Sequence, residues 1–212
     1  MSEVPDDAEG FPGLVLWGSL TGPRAVPGSY KARLRVGSLE ETVEFTVRPD
    51  PRTSASQSDY DQQLEFLLAA RDKLTETHRG IKTIRDVREQ LTNLGKRVKD
   101  DSDITDAAKA IDKKLTAVEE ALYQTKAKSS QDVLNFPIRL NNKLASVAGT
   151  VGTGDNRPTD QAEQVRKELT QQIDEELAGL RRVLSEDLPK FNELLSKKKI
   201  PGVFIDPRPP GK

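Results

Sequence analysis

The fold is decided by the stretch from Tyr60 to Val98, which reads YDQQLEFLLAARDKLTETHRGIKTIRDVREQLTNLGKRV. Its apolar residues recur at intervals of three and four, as they do on one face of an α-helix. The members of this stripe are Tyr60, Leu64, Leu67, Leu74, Ile81, Ile84, Leu91, Leu94 and Val98. With ~1.5 Å of rise per residue, a helix of this length extends on the order of 60 Å. The stretch therefore predicts one long helix in an elongated protein.

Two further segments have the same helical period. The first carries Ile104, Ala108, Ile111, Leu115, Val118 and Leu122, and the second carries Val165, Leu169, Ile173, Leu177, Leu180, Leu184, Leu188, Phe191 and Leu195. The polar turn 99–103 and the pair Thr159-Asp160 supply N-cap candidates before them. Pro189 predicts a kink near residue 188. We expect helices over 57–98 and 160–196 to lie side by side, because their stripes match in length.

A shorter helix is predicted between these segments. After a break at 128–130, Pro137 can begin a helix over 138–147. The segment Leu134–Leu144 is interpreted as a structural plug, in which Phe136 seals the junction and Asn135, Asn141 and Asn142 bond backbone groups that the break leaves unpaired. Element lengths favour a three-layer antiparallel bundle with a broken middle layer. A four-helix bundle, in which this short helix folds back, remains open.

The residues before the helices predict a β-hairpin. Apolar and polar residues alternate over 30–36 and again over 43–47, around a Gly37-Ser38 turn of type II′. This turn sets the cross-strand pairs Val36–Leu39, Leu34–Glu41, Ala32–Val43 and Tyr30–Phe45. A lone hairpin is marginal in water, so it needs another strand, such as Leu14–Trp17, or a helical surface to cover it. The segment is therefore predicted to be part of a β-sandwich.

The chain divides into three parts on these patterns. The prolines of the segment Arg48–Arg52 end the β region, so residues 1–52 form the hairpin or partial sandwich. Residues 53–199 form the helical bundle, and residues 200–212 are predicted to be an extended, loose tail. The fold class is mainly α, an elongated antiparallel bundle of three to four helices preceded by the hairpin.

Composition excludes several partner classes. Lysine and arginine (33) nearly balance aspartate and glutamate (34), and the two signs are interspersed, so we expect no nucleic-acid partner. We expect no membrane insertion, and no export signal, because Leu14–Trp17 is too short an apolar run for either. The absence of cysteine excludes thiolate nucleophiles and zinc-thiolate sites.

No catalytic, cofactor-binding or metal site is predicted. His78 is the only histidine and falls on the apolar seam, so it is interpreted as a hydrogen-bonded packing residue. The carboxylate pairs Asp100-Asp101, Glu119-Glu120 and Glu175-Glu176 are interpreted as solvated helix surface. The loop 149–156 lacks the phosphate-binding pattern, and Asp103, Asp106, Asp155 and Asp160 lack that of a calcium loop.

Three local patterns carry a family resemblance. They are the segments Val26–Gly37 with Val47–Arg52, Leu134–Ala145 and Arg157–Gln161. Their order resembles the C-terminal end of the large bacterial BNR-repeat, sortilin-like proteins often labelled glycosyl hydrolases. The resemblance implies an immunoglobulin-like sandwich and a helical tail that follow a β-propeller, in a periplasmic or secreted protein. The chain by itself indicates no compartment.

The expected function follows from the missing site chemistry and the long seams. The chain is interpreted as a non-catalytic structural or protein-interaction module, the C-terminal part of a propeller-type exported protein. Its expected partner is a protein, either a β-propeller domain or the face of its own bundle. The alternative is a fragment of a glycosyl hydrolase whose catalytic domain is absent from this chain.

Overall fold

A computed structural model describes residues 22–98, 100–127 and 129–205. In chain order, the elements are β1 (Gly28–Val36), β2 (Leu39–Val47), α1 (Gln57–Arg97), α2 (Ser102–Leu122), a short 3-10 helix (Ser130–Leu134), α3 (Leu140–Val151), α4 (Asp160–Arg182), a π-helical turn (Val183–Asp187) and α5 (Leu188–Lys197). The fold is mainly α, with a small antiparallel hairpin before the helices, as predicted. None of the helices within the described ranges is long and apolar enough to cross a membrane.

Local capping sets the start of each long helix. Ser56 accepts a hydrogen bond from the Asp59 N–H, and the Asp59 carboxylate accepts one from the Ser56 N–H at 2.8 Å, which completes a capping box before α1. Thr159 accepts from the Ala162 N–H at 3.1 Å and begins α4. The predicted span 57–98 is confirmed to within one residue.

The middle layer of the bundle is broken, and its two helices run in the same direction. Gln63, near the start of α1, donates to the carbonyls of Val151 and Gly154 at 2.8 and 2.6 Å, so α3 ends beside the start of α1. Since α2 starts beside the end of α1, α3 continues along the path of α2. The structure thus has the three-layer arrangement, and the alternative with a folded-back helix is wrong.

The third layer runs parallel to α1. Tyr60 donates to Asp155 at 3.4 Å just before α4, and Lys73 pairs with Asp174 at 2.6 Å. The expected irregularity near residue 188 is a π-helical turn, in which the Leu188 N–H bonds the Val183 carbonyl.

The junction between α2 and α3 differs in part from the predicted plug. Leu140, Asn141, Asn142 and Leu144 are buried, as expected. Phe136 is only half-buried and Asn135 is exposed. Residues 131–139, between α2 and α3, are all exposed or half-buried, and the chain is buried again only from Leu140 at the start of α3.

The hairpin has the predicted register. All four predicted cross-strand pairs are observed, from Val36–Leu39 to Tyr30–Phe45. Gly37 has a φ of +60° and Ser38 does not have a positive one, as a type II′ turn requires. The sheet has two strands within the described residues. The strand predicted for Leu14–Trp17 lies outside those residues.

The first part of the tail is not loose. Val203 is 4% exposed and belongs to the hydrophobic core, because the chain turns back along α5 after residue 199.

Candidate functional site

The most exposed apolar surface of the described chain is one side of the hairpin. We call this side the apolar hairpin face; it comprises Tyr30, Ala32, Leu34, Val36, Leu39, Val43, Phe45 and Val47, together with one charged residue, Glu41, which lies opposite Leu34. Its large aliphatic residues Leu34, Val36, Leu39 and Val43 are 63–73% exposed. Phe45 is 47% exposed and stacks on Tyr30, with ring centroids 5.9 Å apart. A contiguous exposed apolar patch of this kind is typical of an interaction site.

The opposite side of the hairpin is polar, and its charged side chains form ion pairs with one another. Lys31 pairs with Glu44 at 2.9 Å, and Glu40 pairs with Arg33 and Arg35 at 3.3 and 2.6 Å. Exposed pairs such as these contribute little to stability, and the three cations and two carboxylates on this side leave it with one excess positive charge. A partner is therefore expected to pack on the apolar side.

The hairpin projects from the bundle. Among the described residues, no Cα of either strand lies within 8 Å of a helix Cα. The segments on either side of the hairpin hold it in place: Arg24 donates to the Gly152 carbonyl at 3.2 Å, and Thr53 lies 3.2 Å from the Tyr60 hydroxyl. Both attachments lie near the start of α1, so the apolar hairpin face is presented at that end of the bundle.

His78 lies on the seam, where the sequence predicted it. The Asn141 side-chain nitrogen lies 3.4 Å from His78 Nε2. Burial lowers the pKa of His78 to about 4, so the ring is neutral near pH 7. A neutral Nε2 can accept a hydrogen bond from the Asn141 amide, which ties α1 to α3.

Glu119 is the main departure from the predicted site chemistry. The sequence pattern predicts solvated surface for this residue, but its side chain is 3% exposed. Arg85 Nε donates to it at 2.7 Å and Arg88 Nη1 donates to its other oxygen. Arg88 also bonds Asp112 at 2.7 Å. Glu119 therefore forms a partly buried ion cluster that joins α1 to α2.

The other acidic residues have separate local roles. Asp101 caps α2 and bonds Lys198 at 2.6 Å, which lowers the pKa of its carboxyl. Partial burial, and secondarily the neighbouring Glu175, raise the pKa of Glu176. The described residues contain no group of three or more histidine, aspartate or glutamate side chains placed to hold a metal ion.

The sequence does contain a signal for the Glu119 cluster. Glu119 lies four residues after Leu115 and three before Leu122, so it occupies a position of the apolar stripe itself. A carboxylate at such a position requires a cationic partner on the facing helix. Which arginines supply it depends on how α1 and α2 are rotated against each other, and only the structure shows this.

No protein family, no curated protein and no solved structure matches this chain. The functional argument therefore rests on the geometry of the molecule.

Proposed function

We propose that this chain is a non-catalytic protein-interaction module, in which the apolar hairpin face is the contact surface and the helical bundle is its rigid support. The observation that carries the proposal is that this face is both apolar and uncovered, with four aliphatic side chains 63–73% exposed. Two strands cannot bury an apolar face by themselves, so a stable arrangement needs a further surface.

The partner is the apolar face of another β-sheet. Two sheets that pack face to face bury their apolar sides and leave their polar sides in water, and the hairpin is divided in this way apart from Glu41 near the turn. The resemblance to the end of BNR-repeat, sortilin-like proteins supports the remaining strands of an immunoglobulin-like sandwich as that sheet. The partner is then the propeller-type exported protein that carries those strands.

The size of the face favours a partner in the same assembly over a freely diffusing one. Full burial of a large apolar side chain contributes roughly 1.5–3 kcal/mol, so the five large side chains of the face, which are 47–73% exposed, contribute roughly 5–9 kcal/mol in total. Association of two free proteins costs an estimated ~4–15 kcal/mol. The face is therefore too small to bind tightly alone, and it suits a sheet whose strands are held nearby.

A matched pair of variants tests the face. The probe is a purified propeller-type protein with an incomplete sandwich from the same genome. Binding is measured by biolayer interferometry with the chain at up to roughly millimolar concentration, because the face is expected to bind a free partner only weakly. Val43→Lys places a charge on the apolar hairpin face and is expected to weaken binding at least tenfold. Thr46→Lys places the same charge on the polar side and is expected to change binding less than threefold. Equal binding by both variants, or none by the unmodified chain, would contradict the proposal.

Hydrogen exchange on the chain alone supplies an independent check. Amides of 30–36 and 43–47 are expected to exchange faster than those of 169–184, and to become protected when the probe protein is added. Slow exchange of the strands in the isolated chain would mean that the hairpin is already covered.

Catalysis is tested with a panel of glycosides. We expect no turnover by the purified chain. Turnover that disappears when one specific carboxylate is replaced would overturn the non-catalytic part of the proposal.

A further inference from the structure

A slot lies between α1 and α5, and the chain's own residues 202–204 fill it. The helix α4 packs directly against α1, but no Cα of α5 lies within 8 Å of an α1 Cα, although both helices are fully described. The change occurs across the π-helical turn Val183–Asp187, next to Pro189, whose missing N–H interrupts regular α-helical bonding. We call the space between α1 and α5 the tail slot.

Two side-chain amides hold the backbone of the segment in the tail slot. Asn192 of α5 donates to the Val203 carbonyl at 2.9 Å and accepts from the Val203 N–H at 2.8 Å. Gln90 of α1 donates to the Phe204 carbonyl at 2.7 Å and accepts from the Phe204 N–H at 2.9 Å. Successive residues of an extended strand direct their N–H and C=O groups to opposite sides. The two amides thus take the places of the two neighbouring strands in a sheet.

The side chains of the segment show what the tail slot selects. Val203 points into the core and is 4% exposed, whereas Phe204 is 71% exposed. A Cβ at Gly202 would lie 2.9 Å from Asn192 Oδ1 and would push this amide away from its bonds to Val203, so glycine is favoured at this position. The slot therefore selects a glycine followed by a valine-sized residue, and it tolerates the residue after them.

The interactions of the tail slot are local to the segment. The four hydrogen bonds and the Val203 side chain all belong to two consecutive residues, and they do not involve the covalent link to α5. A separate peptide with the same pattern can make each of them. The hydrogen bonds involve no charged group, so an uncharged core suits such a peptide.

We propose that the tail slot is a binding site for an extended peptide in which glycine precedes a valine-sized residue, and that the chain's own tail is its resident ligand. An external protein segment with this pattern displaces the tail. The tethered tail competes at an effective concentration on the order of millimolar, so an external segment binds measurably when the tail is weakened or when the segment is itself held close.

The test uses the full-length chain with the variant Val203→Asp, which places a charge at the buried position and frees the slot. The probe is a fluorophore-labelled synthetic peptide with the sequence of residues 200–205, and binding is read by anisotropy. The Val203→Asp protein is expected to bind this peptide at least tenfold more tightly than the unmodified protein, which is blocked by its own tail.

Two controls make the result specific. The peptide with aspartate in place of its valine is expected not to bind. Adding Asn192→Leu to the Val203→Asp protein is expected to abolish binding of the natural peptide, while Val43→Lys on the hairpin leaves it unchanged. This last control separates the tail slot from the proposed hairpin contact.

Two results would overturn the proposal, once the variants are known to fold. Circular dichroism first establishes that the Val203→Asp protein is folded, and Gly202→Val serves as a second variant that expels the tail by contact with Asn192. No saturable binding to a folded variant, or equal binding after Asn192→Leu, would overturn the proposal. If both tail variants fail to fold, the tail is part of the fold itself and the proposal is wrong.

Discussion

Replacing Glu119 with glutamine tests whether the buried ion cluster stabilises the bundle. The carboxylate is 3% exposed and accepts from Arg85 at 2.7 Å and from Arg88. A glutamine keeps the shape, but only its oxygen can accept, so one guanidinium donor faces an N–H group. Hydrogen bonds to charged groups contribute roughly 1.5–3 kcal/mol each. The two arginine side chains are 36% and 32% exposed and can regain water, so we expect a net loss near the lower end, about 2 kcal/mol.

Urea unfolding followed by far-UV circular dichroism measures this loss. For a chain of this size, about 2 kcal/mol corresponds to a fall of roughly 4–8 °C in the thermal midpoint. The control is Glu120→Gln, the same substitution at the neighbouring exposed position, which is expected to change stability by less than about 0.5 kcal/mol. If the two variants unfold at the same urea concentration, the cluster does not stabilise the bundle and the reasoning is refuted.

Three further predictions concern the junction and the end of the bundle. Asn141→Ala should lower the free energy of unfolding by about 1–3 kcal/mol, because it removes the acceptor of the buried Asn142 N–H. Phe136→Ala should lower it less, because Phe136 is half-buried. Thermal melts that show the opposite order would contradict this prediction. Because the pKa of His78 falls from 6.5 to about 4 on folding, the contribution of its neutral ring to the free energy of unfolding is complete above pH 6.5. This contribution is lost as pH falls towards 4, by roughly 3 kcal/mol in total. A His78→Gln variant whose stability has the same pH profile as that of the unmodified protein would count against this prediction. Lys199→Gly should raise the free energy of unfolding, measured in urea, by about 1 kcal/mol, because Lys199 has a φ of +56°, which glycine adopts at lower cost. An unchanged free energy of unfolding would mean that the turn carries no strain.

The features that were predictable from the sequence are those set by neighbouring residues. The hairpin register follows from alternation and from the one turn that Gly37 permits. The start of α1 follows from Ser56 and Asp59, and the disturbed helix near residue 188 follows from Pro189. Each of these depends on a few consecutive positions and on backbone sterics.

The features that were missed depend on contacts between distant segments. The spacing of Glu119 places it on the apolar stripe of α2, unlike Glu120, but only the rotation of α2 against α1 shows that it lies between Arg85 and Arg88. The buried Val203 likewise depends on the gap between α1 and α5, whose width no local pattern encodes. The burial of Phe136 was overestimated because the segment before α3 packs only partly against the helices, which the apolar residues around Pro137 do not reveal.

The position of the two proposed contact surfaces bears on the role of the bundle. The hairpin is attached near Tyr60, and the tail slot uses Gln90, which lies thirty residues further along the same unbroken helix. At ~1.5 Å per residue, about 45 Å of α1 separates them. The Glu119 cluster and the His78–Asn141 contact fix α1 to the middle layer between these points. On the two proposals made above, a helix supported in this way separates the two contact surfaces along the bundle, as a spacer between protein segments would.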